Sequence, residues 1–211
     1  MPPLLHRLRQ RLGLLPASLL DQVNRHEPAL TLLADAELLA RWEACQRQVE
    51  TADQNRRPAA TAQIRPILDE EILAEALALA REAARRHTGL RAYDVQIEAT
   101  LALVRGNVAE MATGEGKTLA AALAAACLAL HGQGVHAATV NLYLAERDAA
   151  GMCPLFAALG LSVGLLRDND DPAAKAAAYQ CAITYGTGYE FGFDYLRDQL
   201  RLHSDAPLRP G

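Results

Sequence analysis

The chain has 211 residues, of which 51% are apolar and 22% are charged, and its formal net charge is −4 at pH 7. This composition excludes a wholly disordered chain, because enough apolar material is present to bury a core. The acidic balance gives no overall attraction to nucleic acid. No apolar run reaches the roughly 18 residues that a membrane-spanning helix needs.

Residues 3–15 are predicted to form a basic amphipathic leader helix. Leucines recur there at helical spacing and arginines lie among them: Leu4, Leu5, Leu8, Leu12 and Leu15, with Arg7, Arg9 and Arg11. The segment lacks the uninterrupted apolar stretch of a secretion signal, so we expect it to stay on the mature protein. Two interpretations remain open, a helix on an anionic membrane surface and a helix packed on the body of the protein.

The first 89 residues are predicted to form a helical N-terminal segment. One helix follows Asp35 and carries Trp42 on its apolar face, and a second long helix starts at about Asp69 and stops before Gly89. Residues 51–66 are polar and marked by prolines, which predicts a linker loop between the two helices.

From residue 90 onward, short apolar segments alternate with helical patterns. The predicted strands are 108–111, 135–140, 161–166 and 181–185. This alternation is typical of βαβ units, so we predict an α/β fold with a parallel sheet flanked by helices over residues 90–211. In such sheets, ligands bind where the strands end, and the turn at 112–118 follows the first predicted strand.

That turn has the pattern of a phosphate-binding loop. Gly114 and Gly116 can take positive φ and let backbone N–H groups close around phosphate oxygens. The Lys117 ammonium would reach the β- and γ-phosphates, and the Thr118 hydroxyl would be a ligand of magnesium. The strict pattern has glycine at position 111, where this chain has Met111. Helicase-like ATPases show the same departure from the strict pattern. The alternative is a plain glycine turn before a helix, with a solvated lysine.

Five segments, in order and at the expected intervals, carry a resemblance to a known family. They are 94–96, 109–119, 134–136, 139–148 and 183–198. They closely resemble the SecA family, the motor ATPases of bacterial preprotein translocation. The resemblance is strong over about 90–200 and weaker over the helical segment before it. It implies a P-loop, helicase-like fold, with 90–211 an incomplete first nucleotide-binding domain that stops near the start of the preprotein-binding insertion.

The resemblance also implies ATP or ADP and magnesium as cofactors, and it implies which residues bind them. Gln96 would read the adenine edge. The residues that match the family's phosphate loop are Gly114, Glu115, Gly116, Lys117 and Thr118, the last of which would bind magnesium. Arg147 is a secondary candidate together with Asp148, although an ion pair on a helix surface accounts for these two equally well.

Other parts of the matching segments are not assigned to the site. The aromatic residues of 183–198 are expected to pack against the protein: Tyr185, Tyr189, Phe191, Phe193 and Tyr195. No apolar strand ends in the Asp-Glu pair that activates the attacking water. Asp168 follows 161–166, but too early in the family's order. No residue is therefore predicted to be catalytic, and we do not expect this chain alone to hydrolyse ATP.

The leading hypothesis is the ATP-binding N-terminal portion of a SecA-type ATPase that drives preprotein export through the SecYEG channel. The resemblance implies as partners the SecYEG channel, preprotein and, through residues 3–15, an acidic phospholipid surface; a homodimer stays open. The expected location is the cytoplasm, peripherally associated with the inner face of the cell membrane. The alternative is a degenerate or truncated SecA-like module that docks on membrane or channel without hydrolysing ATP. No nucleic-acid partner is expected.

Overall fold

A computed structural model describes residues 17–54 and 68–200. The predicted leader helix 3–15 lies outside the described residues. Of the predicted loop 51–66, residues 51–54 form the end of a helix, and the rest lies outside them too. The helices are α1 (Ala17–Leu30), α2 (Asp35–Gln54), α3 (Glu70–Thr88), α4 (Asp94–Val104), α5 (Lys117–Ala129), α6 (Leu142–Ala158), α7 (Pro172–Tyr179) and α8 (Gly188–Leu200). The strands are β1 (Val135–Thr139), β2 (Val163–Leu165) and β3 (Ile183–Thr187).

Helix α3 is the centre of the helical layer. It begins at Asp69, whose side chain accepts a hydrogen bond from the Glu71 N–H, and it ends at Gly89, whose φ of 73° is left-handed. Both ends agree with the sequence prediction. The alanine- and leucine-rich middle of α3 is buried, and helices α1, α2 and α6 pack against it. Within the described residues, no helix is long and apolar enough to span a bilayer.

The three described strands form a parallel sheet in the order β1-β3-β2. Val135 of β1 and Val163 of β2 both pair with Ile183 of β3. All five residues of the central strand β3 are buried. Helices α5 and α6 contribute to the larger apolar core, while Tyr179 of α7 packs with Leu166 in a smaller cluster. The predicted α/β class with a parallel sheet is confirmed.

The predicted strand at 108–111 is wrong. These residues form no strand in the structure, and Val108 is 95% exposed. Strand structure depends on backbone hydrogen bonds to a neighbouring strand. Within the described ranges, no strand lies beside this segment, so its apolar sequence is not sufficient to make it part of the sheet.

The helical layer and the sheet share one continuous apolar core. Trp42 of α2, Leu123 of α5 and Tyr185 of β3 all belong to it. The predicted division between residues 89 and 90 stays a prediction.

Two cysteines also lie in this core, where burial raises the pKa of Cys45 to about 11 and the pKa of Cys127 to about 12. Both thiols are therefore protonated at neutral pH.

The expectation that the aromatic residues of 183–198 pack is correct for only two of them. Tyr185 is buried in the main core, and Phe191 stacks on His136 with ring centroids 4.6 Å apart. The exposed fractions of Tyr189, Phe193 and Tyr195 are 48%, 54% and 49%. An amphipathic helix buries one face only, and the buried face of α8 carries Glu190 and Asp194.

Those two carboxylates belong to a buried charge cluster that attaches α8 to α7. The Lys175 ammonium, 4% exposed, donates to Glu190 and, at 3.0 and 3.1 Å, to both Asp194 oxygens. The Tyr179 hydroxyl and the Arg197 guanidinium also donate to Asp194, at 3.0 and 2.6 Å. Burial acts to lower the pKa of Lys175, but the hydrogen bonds to the carboxylates more than offset this effect and the pKa is raised. The cluster is charged and internally paired.

Replacing the ammonium should destabilise the protein strongly. Lys175→Met leaves two buried carboxylates with Arg197 as the remaining cation, so we expect a loss of about 3–5 kcal/mol in the free energy of unfolding. The measurement is equilibrium urea denaturation followed by circular dichroism.

Arg47→Met is the matched control. Arg47 is 65% exposed and lies 3.8 Å from Glu43, so this variant removes the same charge at a cost of about 0–1 kcal/mol. Equal losses in the two variants would show that the buried cluster contributes no more than a surface ion pair.

Candidate nucleotide site

The loop before α5 has the backbone geometry that anion binding needs. Gly114 and Gly116 have φ of 89° and 81°, in the left-handed region that favours glycine. Gly116 is the N-cap of α5, and no side-chain hydrogen bond caps this helix end. The first N–H groups of a helix have no partner within the helix, and they carry its partial positive charge. The loop therefore leads into a helix end that favours an anion.

The two functional side chains that follow are placed differently. The Lys117 side chain is exposed and makes no hydrogen bond or ion pair to the other described residues. Thr118 is half-buried, and its Oγ1 lies 3.5 Å from Oδ2 of Asp148 on α6. Among the described residues, the Lys117 ammonium therefore has no recorded partner, whereas the Thr118 hydroxyl faces the Asp148 carboxylate.

Glu115 stabilises the loop by contacts to the protein. Its carboxylate accepts a hydrogen bond from the Ala112 N–H at 2.7 Å, and its own N–H donates to the Ala112 carbonyl at 3.3 Å. The side chain therefore closes the turn on itself. In the structure Glu115 shapes the backbone of this turn. Its part in a phosphate-binding loop stays a prediction.

Gln96 lies against this loop, as the prediction requires. It is 8% exposed; its Oε1 accepts from the Tyr93 N–H at 2.9 Å, and its Nε2 donates to the Glu115 carbonyl at 2.8 Å. Both ends of the amide are therefore bonded within the protein. A Cβ at Gly116 would lie 2.1 Å from Nε2, so a side chain at position 116 would displace the Gln96 amide. Recognition of adenine by Gln96 stays a prediction.

The buried guanidinium of Arg81 positions Gln96 indirectly. Arg81 is 1% exposed; its Nε donates to the Ala92 carbonyl at 2.8 Å, and its other nitrogens donate to Asn24 at 2.7 Å and Asp94 at 3.3 Å. These bonds fix the segment that begins α4 against α1 and α3. No role for Arg81 is predicted from the sequence, although one arginine inside an alanine- and leucine-rich helical face is a signal for a buried, paired cation.

Arg147 and Asp148 form the expected ion pair, but they are not equivalent. Arg147 Nε and Nη2 donate to Oδ1 of Asp148 at 2.9 and 2.7 Å. The Arg147 side chain is 53% exposed, whereas that of Asp148 is 16% exposed. Asp148 lines a groove of about 400 Å³ that is also lined by Lys117 and Thr118. Burial, and to a smaller extent the Asp148 charge, raises the pKa of Tyr185 in the wall of this groove.

The residues present fit a phosphate together with magnesium. The glycines and the start of α5 suit an anion, and the Thr118 hydroxyl and Asp148 carboxylate are oxygen ligands of the kind that magnesium prefers. Among residues 17–54 and 68–200, no group of three or more His, Cys, Asp or Glu side chains is placed to hold a metal by itself. A magnesium ion here would complete its coordination with phosphate oxygens or water.

The acidic residues after β2 have local structural roles. Asp168 accepts from the Tyr189 hydroxyl at 2.8 Å, Asp170 from the Arg167 N–H at 2.9 Å, and Asp171 from the Ala174 N–H at 2.7 Å. They hold the loop and cap α7. That they take no part in binding magnesium stays a prediction.

Comparison with known proteins gives consistent matches over most of the chain. A model of the SecA DEAD-like domain matches residues 7–210. The protein translocase subunit SecA of Acinetobacter baylyi is 47% identical over 182 residues, which cover 86% of this chain and 19% of that protein. SecA of Xanthomonas campestris pv. campestris is 48% identical over 184 residues, which cover 87% of this chain and 19% of that protein. SecA of Carboxydothermus hydrogenoformans is 46% identical over 189 residues, which cover 90% of this chain and 20% of that protein. The chain spans about a fifth of the length of these relatives.

A side chain at position 116 should disrupt the loop by two separable effects. In Gly116→Ala, the left-handed φ costs about 1–2 kcal/mol, and displacement of Gln96 from the Glu115 carbonyl adds about 1 kcal/mol. The free energy of unfolding, measured by urea denaturation, should fall by the sum of the two.

Gly132→Ala is the matched control, because φ at Gly132 is 67° and nothing lies within 4 Å of an added Cβ. In a Gln96→Ala background, the cost of Gly116→Ala should fall to that of the control. If the two glycine substitutions cost the same in the wild-type background, Gln96 does not clamp the loop.

Proposed function

The chain belongs to the SecA family, and from that membership we propose that it is the ATP-binding N-terminal portion of a protein-translocating ATPase. The observation that carries this proposal is the loop at 114–118, where two left-handed glycines lead into an uncapped helix end beside an uncommitted lysine. Preprotein export through the SecYEG channel is proposed for the complete motor. The proposed organisation is a helical segment, 1–89, followed by residues 90–211, which belong to a first nucleotide-binding domain.

In the proposed complex, each loop residue has a distinct task. The N–H groups at the start of α5 and the Lys117 ammonium would hold the β- and γ-phosphates of ATP, or the β-phosphate of ADP, and Thr118 would be a magnesium ligand. Bound magnesium would neutralise part of the phosphate charge. Gln96 would exchange one of its present hydrogen bonds for the adenine edge. The Tyr93 ring, 69% exposed at the start of α4, offers a face on which a base can stack.

We propose binding without turnover for this chain alone. Of the three described strands, none ends in the Asp-Glu pair that would activate water. The alternative function is a docking module that holds nucleotide weakly or not at all. The exposed segment around Val108 favours that alternative, because a loop outside the sheet is held by fewer contacts. An ATPase assay and a binding titration on the same sample separate the two functions.

Removal of the Lys117 ammonium tests the site. Because its hydrogen bonds would be to charged phosphate oxygens, Lys117→Ala should weaken binding of a fluorescent ADP analogue with magnesium by roughly ten- to hundredfold. Fluorescence titration measures the Kd, and circular dichroism checks that the fold is retained.

Arg47→Ala is the control, since it removes an exposed cation on α2, away from the loop. Its Kd should equal that of the wild type. Unchanged affinity in Lys117→Ala would remove the phosphate-loop assignment, and no binding by the wild type would favour the docking module.

We further propose that residues 3–15 bind acidic phospholipid and thereby hold the protein at the inner face of the cell membrane, from the cytoplasm. The support is the sequence pattern of leucines with three nearby arginines, which suits an anionic surface. Nucleic acid is not a proposed partner, and a homodimer stays an open alternative.

Deletion of residues 1–15 tests the membrane proposal. It removes Arg7, Arg9 and Arg11, and each basic residue near an anionic bilayer contributes about 1 kcal/mol. Sedimentation with phosphatidylserine-containing vesicles should therefore decrease sharply, while the nucleotide Kd stays the same. Vesicles of phosphatidylcholine alone are the control. Equal sedimentation of the full chain and the deletion would favour a leader that packs on the protein.

A further inference from the structure

The carboxylate of Asp148 lies between two residues of the proposed nucleotide site. Its Oδ1 accepts both hydrogen bonds from Arg147, and its Oδ2 faces the Thr118 hydroxyl at 3.5 Å. We propose that Asp148 is a positioning residue that makes nucleotide affinity depend on magnesium, because it orients Thr118 and holds Arg147 away from the phosphates until nucleotide and magnesium are both bound. This inference rests on the proposed function.

The orientation of the pair separates this role from that of a surface ion pair. On the same helix, Glu146 pairs with Arg167 at 3.2 Å, and both side chains are about half exposed, at 46% and 55%. In the Arg147–Asp148 pair, only the arginine is exposed to a similar degree, at 53%, and the acid is 16% exposed. The Asp148 carboxylate is therefore turned into the groove that Lys117 and Thr118 also line.

A carboxylate in a phosphate-binding groove has opposite effects on affinity in two conditions. Without a divalent cation, its negative charge opposes the phosphates, and Arg147 offsets the charge only in part. With magnesium present, the same charge favours the cation, directly or through a water molecule, beside Thr118. Arg147 can then leave Oδ1 and pair with a phosphate oxygen. Asp148 thus couples the two ligands, and the coupling is reciprocal.

The quantity that tests the proposal is the ratio of two Kd values for the fluorescent ADP analogue, one measured in EDTA and one in magnesium. In the full chain this ratio should be well above one. In Asp148→Asn, which keeps the shape and can still accept from Thr118, the ratio should fall by about tenfold. The Kd in EDTA should stay unchanged or become tighter, because a charge that opposes phosphate has been removed.

Two variants serve as controls. Glu146→Gln removes one negative charge two residues away on the solvent side of α6, and it should keep the wild-type ratio. Asp148→Glu keeps the charge and should retain most of the magnesium dependence. Asp148→Glu also tests the proposal if Asp148→Asn does not fold. If the ratio of the Kd in EDTA to the Kd in magnesium is at least tenfold lower in Asp148→Glu than in Glu146→Gln, the charge at position 148 does not carry the role.

The remaining outcomes separate this inference from the proposed function. If Asp148→Asn weakens binding equally in EDTA and in magnesium, Asp148 has a structural role only and the inference is wrong. The inference is also wrong if Asp148→Asn keeps the wild-type ratio, or if the wild type binds nucleotide with the same Kd in EDTA and in magnesium. In each of these cases the proposed nucleotide site is not contradicted. No binding by the wild type in either condition overturns both.

Discussion

The geometry of the candidate nucleotide site depends on one buried cation in the helical layer. Arg81 binds the segment that begins α4, and α4 carries Gln96, whose amide donates to the carbonyl of Glu115 in the glycine turn before α5. A buried guanidinium is tolerated only when its donors are satisfied, so this series of contacts is strongly specified. The helices before residue 90 are therefore part of what shapes the site.

The features that could be predicted from sequence are those set by local chemistry. Asp69 and Gly89 bound α3 because a capping carboxylate and a left-handed glycine act within one turn of the helix. The glycines at 114 and 116 likewise take the positive φ that the pattern predicts. The segment at 108–111 was predicted incorrectly because a strand needs a neighbour, and no property of its own residues supplies one.

The relations between distant residues could not be read from the sequence. From the sequence, Asp148 could equally well be half of a surface ion pair or part of a site. In the structure its carboxylate contacts both Arg147 and Thr118. Lys175 and Asp194 are 19 positions apart, so nothing local indicates that they meet in the interior. Helices α7 and α8 both pack against the sheet, and Lys175 of α7 meets Asp194 of α8 there, where the Tyr179 hydroxyl also donates to Asp194.

The strand order also determines when the sheet can form. The central strand β3, Ile183–Thr187, is the last of the three in the chain, and β1 and β2 each pair with it and not with each other. During synthesis, therefore, neither earlier strand has its partner until residue 187 has left the ribosome. The contacts of α3 with α1 and α2 need no residue beyond 88. The helical layer can thus assemble first, and the sheet closes in a late, long-range step.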